Sequence, residues 1–231
     1  MNAEGLTKLT TVDTITIQIH YENFTSDEII NHCSLRLPPP IYAGSTKHSS
    51  KIFIFPLGEY GKLKIEKFRA SKKYTKLTFF GLSQYNALGE PQNTLKLALG
   101  IIEELLSIVH EIEILGIDVS YDIKKGFPQD LDVKEIKNFF KKYKSFKLSL
   151  QDESTLVSGI TLGTQKSRFK IVIYDKQYKN ELHGSLMRFE KTFKEIDRRP
   201  VILDCVQDLK QYIKLLQNEW AEELLLIDEV I

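Results

Sequence analysis

Strict alternation of apolar and polar residues is the feature that most limits what this chain can fold into. In residues 115–123 the apolar side chains fall on odd positions, at Leu115, Ile117 and Val119. The even positions carry polar or small residues, namely Gly116, Asp118, Ser120 and Asp122. Successive side chains of a strand point to opposite faces of its sheet. This run therefore predicts a strand with one face in the core and both acids on the other face.

Strand-type and helix-type runs follow one another in nearly the same order twice. The first half begins with a strand at 12–21 and a helix that Thr25-Ser-Asp-Glu caps and Pro38 stops. Three strand-type runs and a helical run follow, at 51–57, 62–68, 76–82 and 93–109. The second half again has a strand, a helix, strand-type runs and a helix, at 113–123, 133–143, 146–150, 155–163, 168–175, 186–194 and 203–225.

This order of elements predicts an α+β fold. We expect residues 1–231 to form a single domain of two pseudo-duplicated β-α-β-β-β-α halves, residues 10–110 and 111–225. In the expected arrangement a curved antiparallel sheet carries its helices on one face. The duplication is inferred from element order alone.

Composition excludes some classes of protein. Hydrophobic residues make up 42% of the chain, yet no apolar run approaches the roughly 18 residues of a membrane span. Residues 1–5 lack the basic start and apolar block of a secretory signal. We therefore expect a cytoplasmic protein without membrane contact. The net charge is only +1, so binding to nucleic acid would depend on local clusters of basic residues.

Basic residues do cluster, and aromatic residues interleave them in a mixture that suits backbone contact and base stacking. We predict that a set of lysines and arginines contacts DNA: Lys62, Lys64, Lys67, Arg69, Lys72, Lys73, Lys124, Lys125, Lys166 and Arg168. A solvated face of a protein-interaction domain would show the same runs. That alternative stays open at this point.

The polar residues of the predicted strands fall on one face. In 186–194, Arg188 and Glu190 lie opposite an apolar side, and in 168–176, Tyr174 and Lys176 do the same. Together with Asp118, these residues are expected to converge. Asp122 lies about 13 Å from Asp118 along a strand and is expected to bind water or cap the next turn.

A tyrosine on such a face suits attack on a phosphodiester. A phenol has a pKa of about 10, so it needs a base or a cation that favours the phenolate. Lys176, Arg188 or a metal ion would supply that charge. Carboxylate oxygens suit Mg²⁺ or Mn²⁺. None of the five histidines has a partner two residues away, which excludes nickases that use a His-apolar-His metal motif.

Three motifs in order resemble those of the plasmid and phage rolling-circle replication initiators, nicking proteins of the Rep_trans type, to which we relate the replication initiation proteins of filamentous phages. The motifs are Ile117-Asp-Val-Ser-Tyr-Asp122, Gly163-Thr-Gln-Lys-Ser167 with Tyr174-Asp-Lys176, and Arg188-Phe-Glu190. The resemblance covers residues 10–195. It implies that Tyr174 is the nucleophile and that Asp118, Asp175 and Glu190 are metal ligands. Tyr178 is the rival nucleophile, and Val172 stands where family members often carry an arginine.

The expected function is therefore metal-dependent nicking and joining of DNA through a covalent 5′-phosphotyrosine, which initiates rolling-circle replication or mobile-element transfer. Tyr174, Lys176 and Arg188 are the expected catalytic residues, with Mg²⁺ or Mn²⁺ as cofactor. The expected partner is origin DNA, single-stranded or in a hairpin, and a homodimer and a host helicase remain open as further partners. The competing expectation is an origin-binding or regulatory protein on the same fold that does not cleave DNA.

Overall fold

A computed structural model describes residues 10–20, 25–68, 74–86, 88, 90–126, 146–150, 157–164, 167–176, 185–194 and 201–227. The elements of the first half are β1 Thr11–His20, α1 Ser26–Ser34, β2 Tyr42–Gly44, β3 Ser49–Leu57, β4 Gly61–Phe68, β5 Tyr74–Phe80, β6 Ser83–Tyr85, β7 Pro91–Asn93 and α2 Leu95–Val109. Those of the second half are β8 Ile112–Ile123, β9 Phe146–Leu150, β10 Val157–Leu162, β11 Phe169–Asp175, β12 Met187–Lys194, β13 Val201–Leu203 and α3 Val206–Ile227.

Eleven of these strands form one sheet, in the order β2-β3-β4-β5-β1-β8-β12-β11-β10-β9, with β13 also paired to β8. Neighbouring strands run antiparallel. Strands β6 and β7 form a separate hairpin between β5 and α2. The α+β class with a large antiparallel sheet is thus confirmed.

The two halves meet at the central pair β1 and β8. Moving outward, β1 is followed by β5, β4 and β3, and β8 is followed by β12, β11 and β10. The first half also contains strands β2, β6 and β7, which the predicted β-α-β-β-β-α order lacks. The helix expected at 133–143 lies outside the described residues. The pseudo-duplication therefore stays a prediction.

Helix α1 begins where the sequence predicts. The Thr25 hydroxyl accepts a hydrogen bond from the Glu28 amide, and the Glu28 carboxylate accepts one from the Thr25 amide at 2.7 Å. This reciprocal capping satisfies two amides that a helix start leaves without intrahelical partners. Apolar residues of α1, α2 and α3 join those of the central strands in one buried cluster. All three helices thus cover the same face of the sheet.

The opposite side of the eleven-stranded sheet is called the polar face here. Along β1 the buried Ile15 and Ile17 point to the helices, while Thr14 and Thr16, which alternate with them, point away. Strands β5, β11 and β12 place their side chains in the same way. In β8 a bulge interrupts the pairing with β1 at Leu115, so the prediction that Leu115 faces the core is wrong: it is half-buried and lies on the polar face. The fold therefore gathers the polar side chains of the central strands on one surface.

A buried lysine attaches α3 to the helix side of the sheet. Lys191 of β12 is 2% exposed and donates hydrogen bonds to Glu219 at 2.9 Å and Glu223 at 2.7 Å. Its ammonium group also lies 5.7 Å from the centre of the Trp220 ring. A buried charge is stable only when it is paired, so these contacts fix the position of α3 over β12. Among the helices that the structure describes, none is both long and apolar enough to cross a membrane.

Candidate active site on the polar face

Strand register places the predicted residues in three rows on the polar face. Across β11, β12 and β8, the rows are Tyr174, Arg188 and Asp122 (the tyrosine row); Val172, Glu190 and Ser120 (the glutamate row); and Lys170, Thr192 and Asp118 (the aspartate row). Adjacent rows are two residues apart along each strand. Tyr174, Arg188, Glu190 and Asp118 therefore share one face, as their alternation predicts.

Arg188 is the centre of the tyrosine row and is fully buried, with 0% of its side chain exposed. Its Nε and Nη2 donate to the two oxygens of Asp122, both at 2.6 Å, and Nη1 donates to Asp13 at 2.9 Å. Although burial alone would lower it, the pKa of Arg188 is raised well above its ordinary value by the hydrogen bonds and charge of Asp122. The expectation that Asp122 binds water or caps a turn is wrong, because the register sets it directly opposite Arg188.

A β-bulge brings Asp13 into this cluster. Val12 pairs with Val119 and Thr14 pairs with Asp118, so Asp13 is an extra residue with no partner in the register. Its carboxylate accepts hydrogen bonds from Arg188 and, at 2.8 Å, from the Gln84 side chain. Sequence reasoning missed Asp13. The available signal was the spacing of the core residues Val12 and Ile15, which are three positions apart and so break strict alternation.

The β6–β7 hairpin covers the tyrosine row. The Ser83 carbonyl oxygen accepts hydrogen bonds from Arg188 Nη2 at 2.9 Å and from Lys176 Nζ at 3.1 Å. The Tyr85 hydroxyl donates to Asp122 at 2.9 Å. Lys176 is 1% exposed, and burial together with the charge of Arg188 lowers its pKa to about 8. Two buried cations thus hold β6 against the sheet.

The phenol of Tyr174 lies in a setting that keeps it protonated. Burial raises its pKa well above 10, and the negative charge of Glu190 raises it further. The charge of Arg188 lowers the pKa but does not reverse the shift, because Asp122 and Asp13 already neutralise that guanidinium. Arg188, one of the cations expected to favour the phenolate, is thus present, but its charge alone does not bring the pKa of Tyr174 down to the ordinary value.

A cleft of about 330 Å³ opens on the polar face beside the glutamate row. Its lining consists of Thr14, Thr16, Lys76, Leu115, Gly116, Asp118, Lys170, Glu190, Thr192 and Lys194. Asp118 and Glu190 both reach it, but Glu190 pairs with Ser120, so the two acids are diagonal neighbours. Diagonal neighbours are about 7–8 Å apart, farther than the about 5 Å expected for directly opposed residues.

Asp118 has an environment that opposes its negative charge. Burial raises its pKa, and the nearby charge of Asp13 adds to this, although hydrogen bonds to Thr192 and Thr14 act in the other direction. A cation in the cleft would offset that cost. Asp118 and Glu190 supply the hard oxygen ligands that Mg²⁺ and Mn²⁺ prefer, and Mg²⁺ commonly takes only one or two carboxylates and completes its shell with water. The donor set therefore fits such an ion.

The other expected ligand and the rival nucleophile stand apart from this pair. Asp175 ends β11 and pairs with the buried Met187, and by alternation it faces away from Tyr174. Within the described ranges, no group of three or more histidine, cysteine, aspartate or glutamate side chains gathers in metal-binding geometry. Tyr178 lies outside the described residues.

The lysines and arginines predicted to contact DNA are spread over several surfaces. Lys62 and Lys64 alternate with the buried Leu63 and Ile65 and so lie on the polar face. Lys67 instead donates to Asp27 of α1 at 2.9 Å, on the helix side. The exposed remainder of the described set lies at strand ends: Lys124 and Lys125 after β8, and Arg168 before β11. Arg69, Lys72, Lys73 and Lys166 lie outside the described residues.

Fold and site together define a class of α+β protein. Its antiparallel sheet buries one face under helices and presents a tyrosine, acids and lysines on the other. The fold is similar to the solved structure of a rolling circle replication initiator protein from Geobacillus stearothermophilus, with a TM-score of 0.50 and 13% sequence identity over 80% of this chain and 74% of that one. No protein-family model matches the chain, and no curated protein matches it in sequence. The similarity shows a shared fold, which agrees with the resemblance found in the sequence motifs.

Proposed function

We propose that the protein is a metal-dependent enzyme that nicks and joins DNA through a covalent 5′-phosphotyrosine on Tyr174, and so initiates rolling-circle replication or mobile-element transfer. The observation that carries the proposal is the position of Tyr174 within electrostatic reach of Glu190, which lines the same cleft as Asp118. A candidate nucleophile and two candidate metal ligands thus lie on one surface of a fold shared with a replication initiator.

In the proposed reaction, the Tyr174 oxygen loses its proton to water and forms a bond to phosphorus, while the 3′ oxygen of the broken strand leaves and takes up a proton from water to become a hydroxyl. Joining is the reverse, with the 3′ hydroxyl attacking the phosphotyrosine. Asp118 and Glu190 would hold Mg²⁺ or Mn²⁺, which when bound polarises a phosphate oxygen and offsets the charge of Glu190. That charge is one of the two main causes that raise the pKa of Tyr174, so metal binding and phenol ionisation are coupled.

Arg188 and Lys176 have positioning roles in this proposal. Arg188 is directly opposite Tyr174 in the register, but it donates to Asp122, Asp13 and the Ser83 carbonyl. The nitrogen donors of Arg188 are thus used in hydrogen bonds within the protein. Lys176, which follows the tyrosine by two residues, donates a hydrogen bond to the same Ser83 carbonyl oxygen. Both residues fix the end of β11 and therefore the direction of the phenol.

A second candidate function is DNA binding without cleavage. The burial of Tyr174 favours it, because a protonated, partly enclosed phenol is a poor nucleophile. Val172, in the glutamate row, favours it too, because an apolar residue there provides no charge for the tyrosine. A protein of this type would bind origin DNA with a steep salt dependence and would not cut it.

The two candidates are separated by the formation of a protein–DNA adduct. Wild-type protein is incubated with Mn²⁺ and single-stranded DNA from the origin of its own genetic element, and adducts are resolved by denaturing electrophoresis. We expect a 5′-linked adduct that Tyr174→Phe abolishes and that the exposed control Tyr42→Phe retains. An adduct lost in Tyr178→Phe but retained in Tyr174→Phe would reassign the nucleophile. Tight binding with no adduct in any protein would establish the second candidate.

A further inference from the structure

One end of the cleft is built from lysines around a glycine floor. Gly116 of β8 pairs with Thr16 on one side and with Lys194 on the other. A Cβ atom at Gly116 would lie 3.0 Å from the Phe193 carbonyl oxygen and 3.7 Å from the Lys194 side chain. A larger residue there would fill the space between the two strands. The absence of a side chain keeps this end of the cleft open.

Both acids and lysines line the cleft. Glu190 lies toward the tyrosine row, and Asp118 lies in the middle, where it has hydrogen bonds to Thr14 and Thr192. Three lysines line the rest of the cleft and are called the lysine end here: Lys170 of the aspartate row on β11, Lys194 two residues farther along β12, and Lys76 of β5 across β1, together with the hydroxyl of Thr16. Ammonium and hydroxyl groups are donors that phosphate oxygens accept. The lysine end therefore has the chemistry of an anion site.

Its distance from the tyrosine separates this end from the proposed reaction centre. Lys170 lies four residues from Tyr174 along β11, and Lys194 lies six residues from Arg188 along β12. At the rise of a strand these separations are about 13 Å and about 20 Å. A phosphate held at the lysine end is thus a different phosphate from the one that Tyr174 reaches.

We propose that the lysine end binds a backbone phosphodiester of a single DNA strand, away from the phosphate that is attacked, and so sets the register of the strand on the polar face. This assignment rests on the proposed function for the identity of the ligand. Free phosphate has the same oxygen chemistry, and the experiment separates it from a DNA strand.

The test measures binding of a fluorescent 12-nucleotide oligothymidylate by anisotropy, in EDTA and over a range of salt concentrations. Each phosphate contact to a single strand contributes about 0.7 to the slope of log affinity against log salt. We expect Lys170→Gln/Lys194→Gln to lower that slope by about 0.7. The matched control is Lys210→Gln/Lys214→Gln, which makes the same charge change on exposed residues of α3, on the helix side. The control should keep the wild-type slope, and Lys170→Arg/Lys194→Arg should keep it too.

Equal slopes for both glutamine variants and wild type overturn the proposal. If inorganic phosphate at constant ionic strength raises the melting temperature of wild type but not of Lys170→Gln/Lys194→Gln, while the DNA slopes are equal, the site binds free phosphate and the strand assignment is wrong. The nicking proposal fails separately. If the slopes differ but the protein forms no adduct, the lysine end binds DNA and the nicking proposal is wrong. If the protein forms an adduct but the slopes are equal, the nicking proposal holds and the lysine-end proposal is wrong.

Discussion

Strand β12 carries two buried cations three residues apart, and they stabilise different parts of the molecule. Arg188 points to the polar face, where it binds Asp122, Asp13 and the Ser83 carbonyl under the β6–β7 hairpin. Lys191 points to the helix side, where it binds Glu219 and Glu223 of α3. Asp122 and Asp13 are 9% and 14% exposed, whereas of the two partners of Lys191 Glu223 is 11% exposed and Glu219 is 48% exposed. One strand thus holds the candidate site through an enclosed ion cluster, and holds α3 through a cluster that is solvated on the Glu219 side.

The largest effect is expected from Asp122→Ala. This change leaves Arg188 buried without its bidentate partner, and breaking a buried pair on one side costs about 3–5 kcal/mol. The free energy of unfolding, measured by urea denaturation, should fall by that amount. The matched control is Asp27→Ala, which removes a 51% exposed partner of Lys51 and Lys67 and should cost about 0.2–1 kcal/mol. A loss for Asp122→Ala no larger than that of the control would contradict the enclosed cluster.

A smaller effect is expected from Lys191→Met. Methionine fills the apolar surroundings and the half-exposed Glu219 regains water, but Glu223, 11% exposed, loses this cation, so the loss should be about 1–3 kcal/mol. Because Trp220 is the only tryptophan and lies beside Lys191, its fluorescence should change in this variant. Asp122→Ala should leave the fluorescence of the folded protein unchanged. A change in Trp220 emission in Asp122→Ala would show that the two clusters are not independent.

Lys176 should give the polar-face cluster its own pH dependence. Its folded pKa of about 8 lies below the ordinary 10.5, so the unfolded chain binds more protons between these values. Burying the charged Lys176 lowers the free energy of unfolding at neutral pH. This loss becomes smaller as the pH rises from 8 toward 10.5, because the folded protein releases the proton first. The difference in unfolding free energy between wild type and Lys176→Met should shift in favour of wild type over that range. Melting curves from pH 7 to 10 measure it, and a constant difference would contradict the lowered pKa.

Alternation in the sequence identifies the face of a residue wherever no β-bulge interrupts the strand, as one does at Asp13 and at Leu115, but not which residues meet across strands. A register slip of one residue exchanges the two faces, whereas a slip of two residues leaves every residue on its face. The faces of Asp118, Asp122, Arg188 and Glu190 were therefore predictable, but the pairing of Arg188 with Asp122 was not. Contacts between distant parts of the chain were equally inaccessible: Asp13 and Arg188 are 175 residues apart, and Ser83 and Arg188 are 105 apart. The three-residue strands of the β6–β7 hairpin are too short to give a periodic signal.

The smallest effect on stability, and one opposite in sign, is expected at the other acid of β8. Asp118 lies four residues from Asp122 and, among the described residues, pairs with no arginine; its pKa is raised in the folded protein mainly by burial. A carboxyl group with a raised folded pKa costs stability at every pH above its unfolded value, so Asp118→Asn should slightly raise the free energy of unfolding at pH 7 in EDTA. The same change should weaken Mn²⁺ binding, measured by calorimetry, as should Glu190→Gln. Asp175→Asn serves as the matched control on the opposite face of β11 and should bind Mn²⁺ like wild type. If Asp175→Asn abolishes metal binding and Glu190→Gln does not, the ion lies beside the tyrosine and the cleft is not its site.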